Sequence, residues 1–224
     1  MPRTNDIPRR QIVTFAIGYR EHLDMTVESM RKYASEVGAD FCEMKFFPEM
    51  DGTYNGNPCY SCVEWLKFFA RQEYYDEVLM LDDDVLIAPG SPNIFEKVGD
   101  MACVTDAAWR RKDTRYRCWL RRNFPAHVST TDDNAPYFNA GVLLFRKQAA
   151  TRMDLEGPYP DDFANDQDFL NMRSEEAGLD INWLGDDYNW RDVDNRRETA
   201  RAHFLHFVGG QKHNIKYWFD FFYR

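Results

Sequence analysis

Two hydrophobic rhythms alternate along this chain, one of short continuous apolar runs and one spaced like a helix face. The first run, Gln11 to Gly18, is β-branched and aromatic and predicts a buried strand. Leu23, Val27, Met30, Ala34 and Val37 then recur at helical spacing, with Gly38 placed to close the helix in a left-handed cap. Cys42, Met44 and Phe46 alternate with Glu43 and Lys45, which predicts a second strand. The stretch from Pro48 to Tyr60 reads as loop. Ser61 and Glu64 form a capping box that opens a helix carrying Trp65, Leu66, Phe69 and Ala70 inward.

Val78 to Ile87, VLMLDDDVLI, predicts a strand that meets three aspartates and then resumes. Ser91-Pro92 should cap a short helix closing near Gly99. Strands are expected at Met101 to Thr105, Tyr137 to Phe145, Ile181 to Leu184 and His203 to Val208. A helix from Asp166 to Ala177 should end at Gly178. This alternation predicts an α/β fold: a mixed, largely parallel sheet flanked by helices on both faces, with ligands at the carboxyl ends of its strands.

The aspartates carry the first chemical signal. Carboxylates set between apolar runs are costly to bury unless a cation or strong donors meet them. In an extended segment Asp82 and Asp84 share one side and Asp83 faces the other. Two hard oxygens on one face suit Mg²⁺ or Mn²⁺, leaving open coordination positions for phosphate oxygens.

At 224 residues, 44% hydrophobic and 29% charged, the chain is expected to fold as one globular domain spanning 1–224, with no transmembrane segment. A net charge of −9 argues against nucleic-acid binding. One basic run stands out, with Arg110, Arg111, Lys112, Arg115, Arg117, Arg121 and Arg122 between Trp109 and Ala135. It reads as a solvated loop that can also attract an anion. The five cysteines form no small-scaffold framework, and MPRTNDIPRR lacks the apolar core of a signal peptide. Both favour a reducing, cytoplasmic setting. Cys59 and Cys62 form a lone C-x-x-C, which is read as ordinary thiols.

Four blocks occur in a telling order: VLMLDDDVLI at 78–87, YFNAGVLLF at 137–145, NDQDFLN at 165–171 and HFVGGQK at 206–212. Together they make the chain resemble glycosyltransferase family 8, the retaining GT-A enzymes that include glycogenin and bacterial lipopolysaccharide galactosyltransferases. The resemblance implies a GT-A fold, a Mn²⁺ or Mg²⁺ cofactor, a nucleoside diphosphate sugar donor, most often a UDP-sugar, and a hydroxyl acceptor on a glycan. It makes Asp82, Asp84 and His206 the metal ligands and leaves Asp83 for the donor's ribose. His203 competes with His206, but three positions apart in a strand puts them on opposite faces. Lys212 and the backbone at Gly209 would meet phosphate.

The same resemblance implies that Lys67, Asn139, Ala140 and Asp106 lie near the donor, and that Gln167 and Asp166 lie against the transferred sugar as catalytic residues. Tyr19 can stack on a base. The chain departs from the family at Gly18-Tyr19-Arg20, where an Asn/Asp-rich turn is usual, and at Lys212-His213-Asn214, where K-P-W is usual. Two other functions fit such a metal-bearing α/β fold: a sugar-phosphate nucleotidyltransferase, and a non-catalytic module that binds sugar nucleotides or glycans. The aromatic end, with Tyr217, Trp218, Phe221 and Phe222, is expected to pack as core.

Overall fold

The structure, a computed structural model, describes residues 7–16, 20–45, 61–106, 122, 136–156 and 165–224. Six strands make the main sheet: β1 (Arg10–Thr14), β2 (Asp40–Glu43), β3 (Glu77–Leu81), β5 (Met101–Thr105), β6 (Phe138–Arg146) and β7 (Ile181–Leu184). Their order is β2-β1-β3-β6-β5-β7. All run the same way except β6, which is antiparallel to both of its neighbours. The sheet is therefore mixed and largely parallel, as the alternation of elements predicts.

Both faces of this sheet are covered, which is why its strands read as unbroken apolar runs. Val78 and Met80 of β3 point into one core with Val13, Leu143 and Phe145. The helices α2 (Ser61–Arg71), α3 (Lys147–Arg152) and α4 (Asn165–Glu176) supply Leu66, Phe69, Ala149, Phe169 and Leu170 to that core. Leu79 and Leu81 point the other way, to meet Met30, Tyr33 and Ala34 of α1 (Leu23–Val37). The helix α1 closes at Gly38, whose φ of 68° is the left-handed conformation expected there.

One departure from the sequence reading matters for the site. The run from 78 to 87 is not one strand. The main-sheet strand β3 stops at Leu81, and Val85–Ile87 forms β4, which pairs antiparallel with β8 (Phe204–His206) in a separate two-stranded sheet. The three aspartates form the turn between the two sheets, closed by a bond from the Val85 N–H to the Asp82 carbonyl. An apolar run reports burial, not which sheet buries it, so the hand-over is invisible in the pattern.

Smaller differences follow from local chemistry. The short helix near 92 is a 3₁₀ turn at Ile94–Glu96 capped by Asn93, whose side chain accepts from the Phe95 N–H. The Ser91 hydroxyl instead donates to the carbonyls of Ala88 and His203. The strand at 203–208 shortens to Phe204–His206 because a 3₁₀ segment, Gly209–Asn214, follows closely. The final helix, α6 (Ile215–Tyr223), buries Trp218 and Phe219, while Tyr217 and Phe221 stay exposed. The tail is thus only partly core. One further short helix, α5 (Arg196–Thr199), precedes β8. The loop at 48–60 and the basic run, apart from Arg122, lie outside the described residues.

Candidate active site

The ends of β3, β4 and β8 bring the acidic turn to a histidine. Register pairs Val85 with His206 across the small sheet, and the Phe207 N–H donates to the Asp84 carbonyl. The Asp82 N–H donates to the Gly141 carbonyl on β6, which anchors the other side of the turn. As a result His206 Nε2 lies 3.4 Å from Asp82 Oδ2 and 3.2 Å from Asp84 Oδ1. One ligand-type atom from each of the three residues falls within 4.8 Å of the others. Asp82 and Asp84 do converge as predicted, but through a turn rather than through strand alternation. His203 is elsewhere, 3.1 Å from Asp187 and edge-on to Tyr188.

The residues fit a divalent cation. Asp84 Oδ1 is buried without a hydrogen bond of good geometry, and His206 Nε2 meets it at 3.2 Å as an ion pair. A desolvated carboxylate oxygen left in that state is costly. Two carboxylates and one imidazole are donors that suit Mn²⁺ and related divalent ions. Asp84 and His206 are buried, whereas the Asp82 side chain is 52% exposed, so the cluster opens to solvent on that side. Burial pushes the His206 imidazole down, but the Asp82 and Asp84 carboxylates beside it outweigh that and raise its pKa to about 9. Asp84 moves the opposite way: burial raises it, and His206 with Lys212 pulls it lower still.

Gly141 shows how tightly this corner is packed. A Cβ there would overlap the His206 ring, so only glycine lets β6 pass beneath the imidazole.

Two cations and an imidazole surround the outer side of the turn. Lys212 Nζ is 2.9 Å from Asp84 Oδ2 and 3.9 Å from Asp83 Oδ1. Arg20 pairs with Asp83 at 2.5 Å, and His22 Nε2 lies 4.0 Å from its other oxygen. The Asp83 backbone is held too, because the Thr26 hydroxyl in the first turn of α1 donates to its carbonyl. Burial, with the Asp84 and Asp82 charges, raises the Asp83 pKa to about 6 despite Arg20 and Lys212. His22 is pushed down by burial, then by Lys212 and Arg20, and its Nε2 is buried without a hydrogen bond. Arg20 and His22 escaped the sequence reading, since polar residues after a first strand look like any loop.

The inner side is a network of amides. Asn139 Nδ2 donates to Gln167 Oε1 and to Asp106 Oδ2, while its Oδ1 accepts from the Gly141 N–H and from Asn189 Nδ2. Gln167 Oε1 also accepts from the Ala140 N–H, and its Nε2 donates to the Tyr137 hydroxyl. Asp166 accepts from the Gln167 N–H and the Cys62 thiol, and burial plus the nearby Asp82 charge lifts its pKa to about 6. Burial, then Asp166, raises the Cys62 pKa well above the usual thiol value, which agrees with an unreactive thiol; Cys59 lies outside the described residues. Beside Asn139 opens a cleft of about 680 Å³ lined by Asp106, Asp186, Trp190, Arg191 and Gln211. Arg191 pairs with Asp106 at 2.7 Å across it.

Of the remaining expected residues, Gly209 opens the 3₁₀ segment that carries Lys212, with φ 61°. Lys67 pairs with Glu64 and Glu156. Tyr19 lies outside the described residues. Asn189 and Arg191 are the functional candidates missed on the inner side. Asn189 follows Gly185-Asp186-Asp187-Tyr188 and reads as a turn residue, with nothing local to mark its partners.

No family model and no curated protein matches the chain by sequence. Solved structures do align with it. A glycosyltransferase involved in glycosylation of the major capsid of PBCV-1 aligns at TM-score 0.64, with 15% identity over 96% of this chain and 100% of that one. A galactosyltransferase, LgtC, in complex with donor and acceptor sugar analogs aligns at 0.61, with 15% identity and 96% of both chains covered. Mouse xyloside xylosyltransferase 1 aligns at 0.50, with 11% identity over 91% of this chain and 98% of its own. The fold is therefore the GT-A fold of these glycosyltransferase structures.

Proposed function

We propose that this protein is a metal-dependent glycosyltransferase of the retaining family 8 type. It moves a sugar from a nucleoside diphosphate, with a UDP-sugar as the leading donor, to a hydroxyl of a glycan acceptor. The observation that carries this reading is the convergence of Asp82, Asp84 and His206, with Lys212 beside them, at one rim of a GT-A fold. Asp82, Asp84 and His206 would hold Mn²⁺ or Mg²⁺, which when bound supplies positive charge to a departing diphosphate.

The chain's own residues account for the rest. Lys212 exchanges Asp84 for a phosphate oxygen and, with the Gly209 and Gly210 backbone, holds the leaving group. Asp83 would meet the ribose once Arg20 turns to the anion. Asn139 and Asp106 line the cleft that would receive the donor sugar, Ala140 follows Asn139 on β6, and Arg191 gates Asp106 by its ion pair. Gln167 and Asp166 shape and polarise that pocket rather than attack the sugar, since the Gln167 amide is held at both ends. Attack by the acceptor hydroxyl breaks the bond between C1 and phosphate oxygen, forms the new glycosidic bond, and sends the hydroxyl proton to the leaving phosphate. The reaction takes place in the cytoplasm on this reading.

The test is a screen of UDP-sugars for hydrolysis with and without Mn²⁺, which requires no knowledge of the acceptor. UDP release from at least one donor, dependent on Mn²⁺, is expected. Pyrophosphate formation from UTP and a sugar 1-phosphate would point instead to a nucleotidyltransferase. Tight UDP binding with no turnover of any donor would mark a binding module.

A further inference from the structure

We infer that Asn189 is the positioning residue for His206, and that two backbone amides, those of Ala140 and Gly141, dictate which imidazole nitrogen faces the acidic pair. The inference deepens the metal reading and rests on it. Its argument is one of direction. A backbone N–H only donates, so whatever it meets must accept. The Ala140 N–H meets Gln167 Oε1 at 2.9 Å, which fixes that amide with its oxygen toward β6. Gln167 Oε1 therefore takes its second bond, at 3.0 Å, from Asn139 Nδ2.

The Gly141 N–H sets the same orientation independently, because it donates to Asn139 Oδ1 at 3.0 Å. Asp106, an acceptor when ionised, agrees from a third side by receiving Asn139 Nδ2. With Asn139 so fixed, Asn189 must present its NH₂ to Asn139 Oδ1, at 2.9 Å, and its own oxygen to His206 Nδ1, also at 2.9 Å. That oxygen accepts only from a protonated Nδ1. The hydrogen-bonding direction thus passes from β6 through three side-chain amides to the ring, and Nε2 is the nitrogen left for a cation beside Asp82 and Asp84.

Asn139, Gln167, Asn189 and His206 are all under a tenth exposed, so no solvent rotation relaxes the chain of bonds. Reversing any one amide would set two donors or two acceptors against each other in a buried site, which is unfavourable.

The experiment is Mn²⁺ titration calorimetry on the whole chain, with thermal unfolding as a control. Asn189→Leu removes the acceptor and should weaken Mn²⁺ binding about 10- to 100-fold. Asn189→Asp keeps an oxygen for Nδ1–H and should hold Mn²⁺ within about threefold of wild type, while losing the donor to Asn139. A merely structural residue would not separate the two variants. If the leucine variant does not fold, Asn189→Ser, too short to reach the ring, replaces it with the same expected loss. Equal Mn²⁺ affinity in wild type and the leucine or serine variant, or an aspartate variant as weak as leucine, overturns the inference. Absence of Mn²⁺ binding in wild type overturns the metal reading instead. In that event long-range ¹H–¹⁵N spectra of neutral His206 decide the present point: an Nδ1–H ring upholds it and an Nε2–H ring refutes it.

Discussion

The two walls of the acidic cluster are built on opposite principles. On the inner wall, neutral amides of Asn139, Gln167 and Asn189 satisfy one another and two backbone N–H groups. On the outer wall, Arg20, His22 and Lys212 crowd around Asp83 and Asp84, one imidazole nitrogen lacks a hydrogen bond, and Asp83 is raised by burial and its acidic neighbours. The contrast teaches what each wall is for. A satisfied neutral network holds a fixed shape, while opposed charges held close are easily re-paired by an incoming anion.

The largest effect should come from removing a carboxylate of the acidic cluster that lies between the walls. Asp82→Ala leaves the fold standing, because that side chain is half exposed, yet should reduce Mn²⁺ binding and sugar transfer by at least about 100-fold. Titration calorimetry and UDP-release assays read both. A variant with full activity sinks the metal assignment.

Lys212→Met tests the outer wall alone. It should weaken UDP binding by on the order of tenfold while slightly strengthening Mn²⁺ binding in the absence of nucleotide, since Asp84 loses its competing cation. Loss of both affinities together would mean that the lysine serves structure, not phosphate.

Gly141→Ala tests the inner wall by volume. The added methyl must displace the His206 ring, so a loss of about 1–3 kcal/mol in denaturant unfolding is expected, with weaker Mn²⁺ binding. An alanine variant indistinguishable from wild type would show that the corner yields more readily than its packing implies.

The pH dependence links the walls through His206. Its folded pKa of about 9 lies above the usual 6.5, so the imidazolium stabilises the cation-free protein fully below pH 6.5, and that contribution fades as pH rises through about 9. Mn²⁺ must displace this proton, so its affinity should climb by up to about tenfold per unit from pH 6.5 toward 9. An affinity flat over that range would remove His206 from the ligand set. The smallest effect is expected from Asp166→Asn, which relieves burial of a carboxylate near Asp82 and should raise the stability of the cation-free protein at pH 7. Calorimetric melting in the cation-free state measures it, and a lower melting temperature would contradict the like-charge account.

How far the sequence foretold this molecule depends on whether the cause was local. The α1 face and its Gly38 cap, the strands at 101–105 and 181–184, and the convergence of Asp82, Asp84 and His206 follow from spacing, turn chemistry or ordered motifs. The break after Leu81 did not, because the partner that draws Val85–Ile87 into a second sheet lies more than a hundred positions away at Phe204–His206. The same holds for Asn189, whose meaning comes from Asn139 and His206 and not from its neighbours in the chain. The motifs drew attention to Asn139 and Gln167, but their mutual bonding was not legible.

The reversed direction of β6 has a geometric payoff of its own. Parallel strands such as β3 and β5 can offer the rim only what comes after them, Asp82 and Asp106. A strand running the other way offers the rim its opening residues, so Asn139, Ala140 and Gly141 stand there where the β5–β6 register shifts, with the Ala140 and Gly141 N–H groups turned to the side chains of Gln167 and Asn139. Backbone amides thereby reach the site from within a strand, at a place where neighbouring strands have given way to loop.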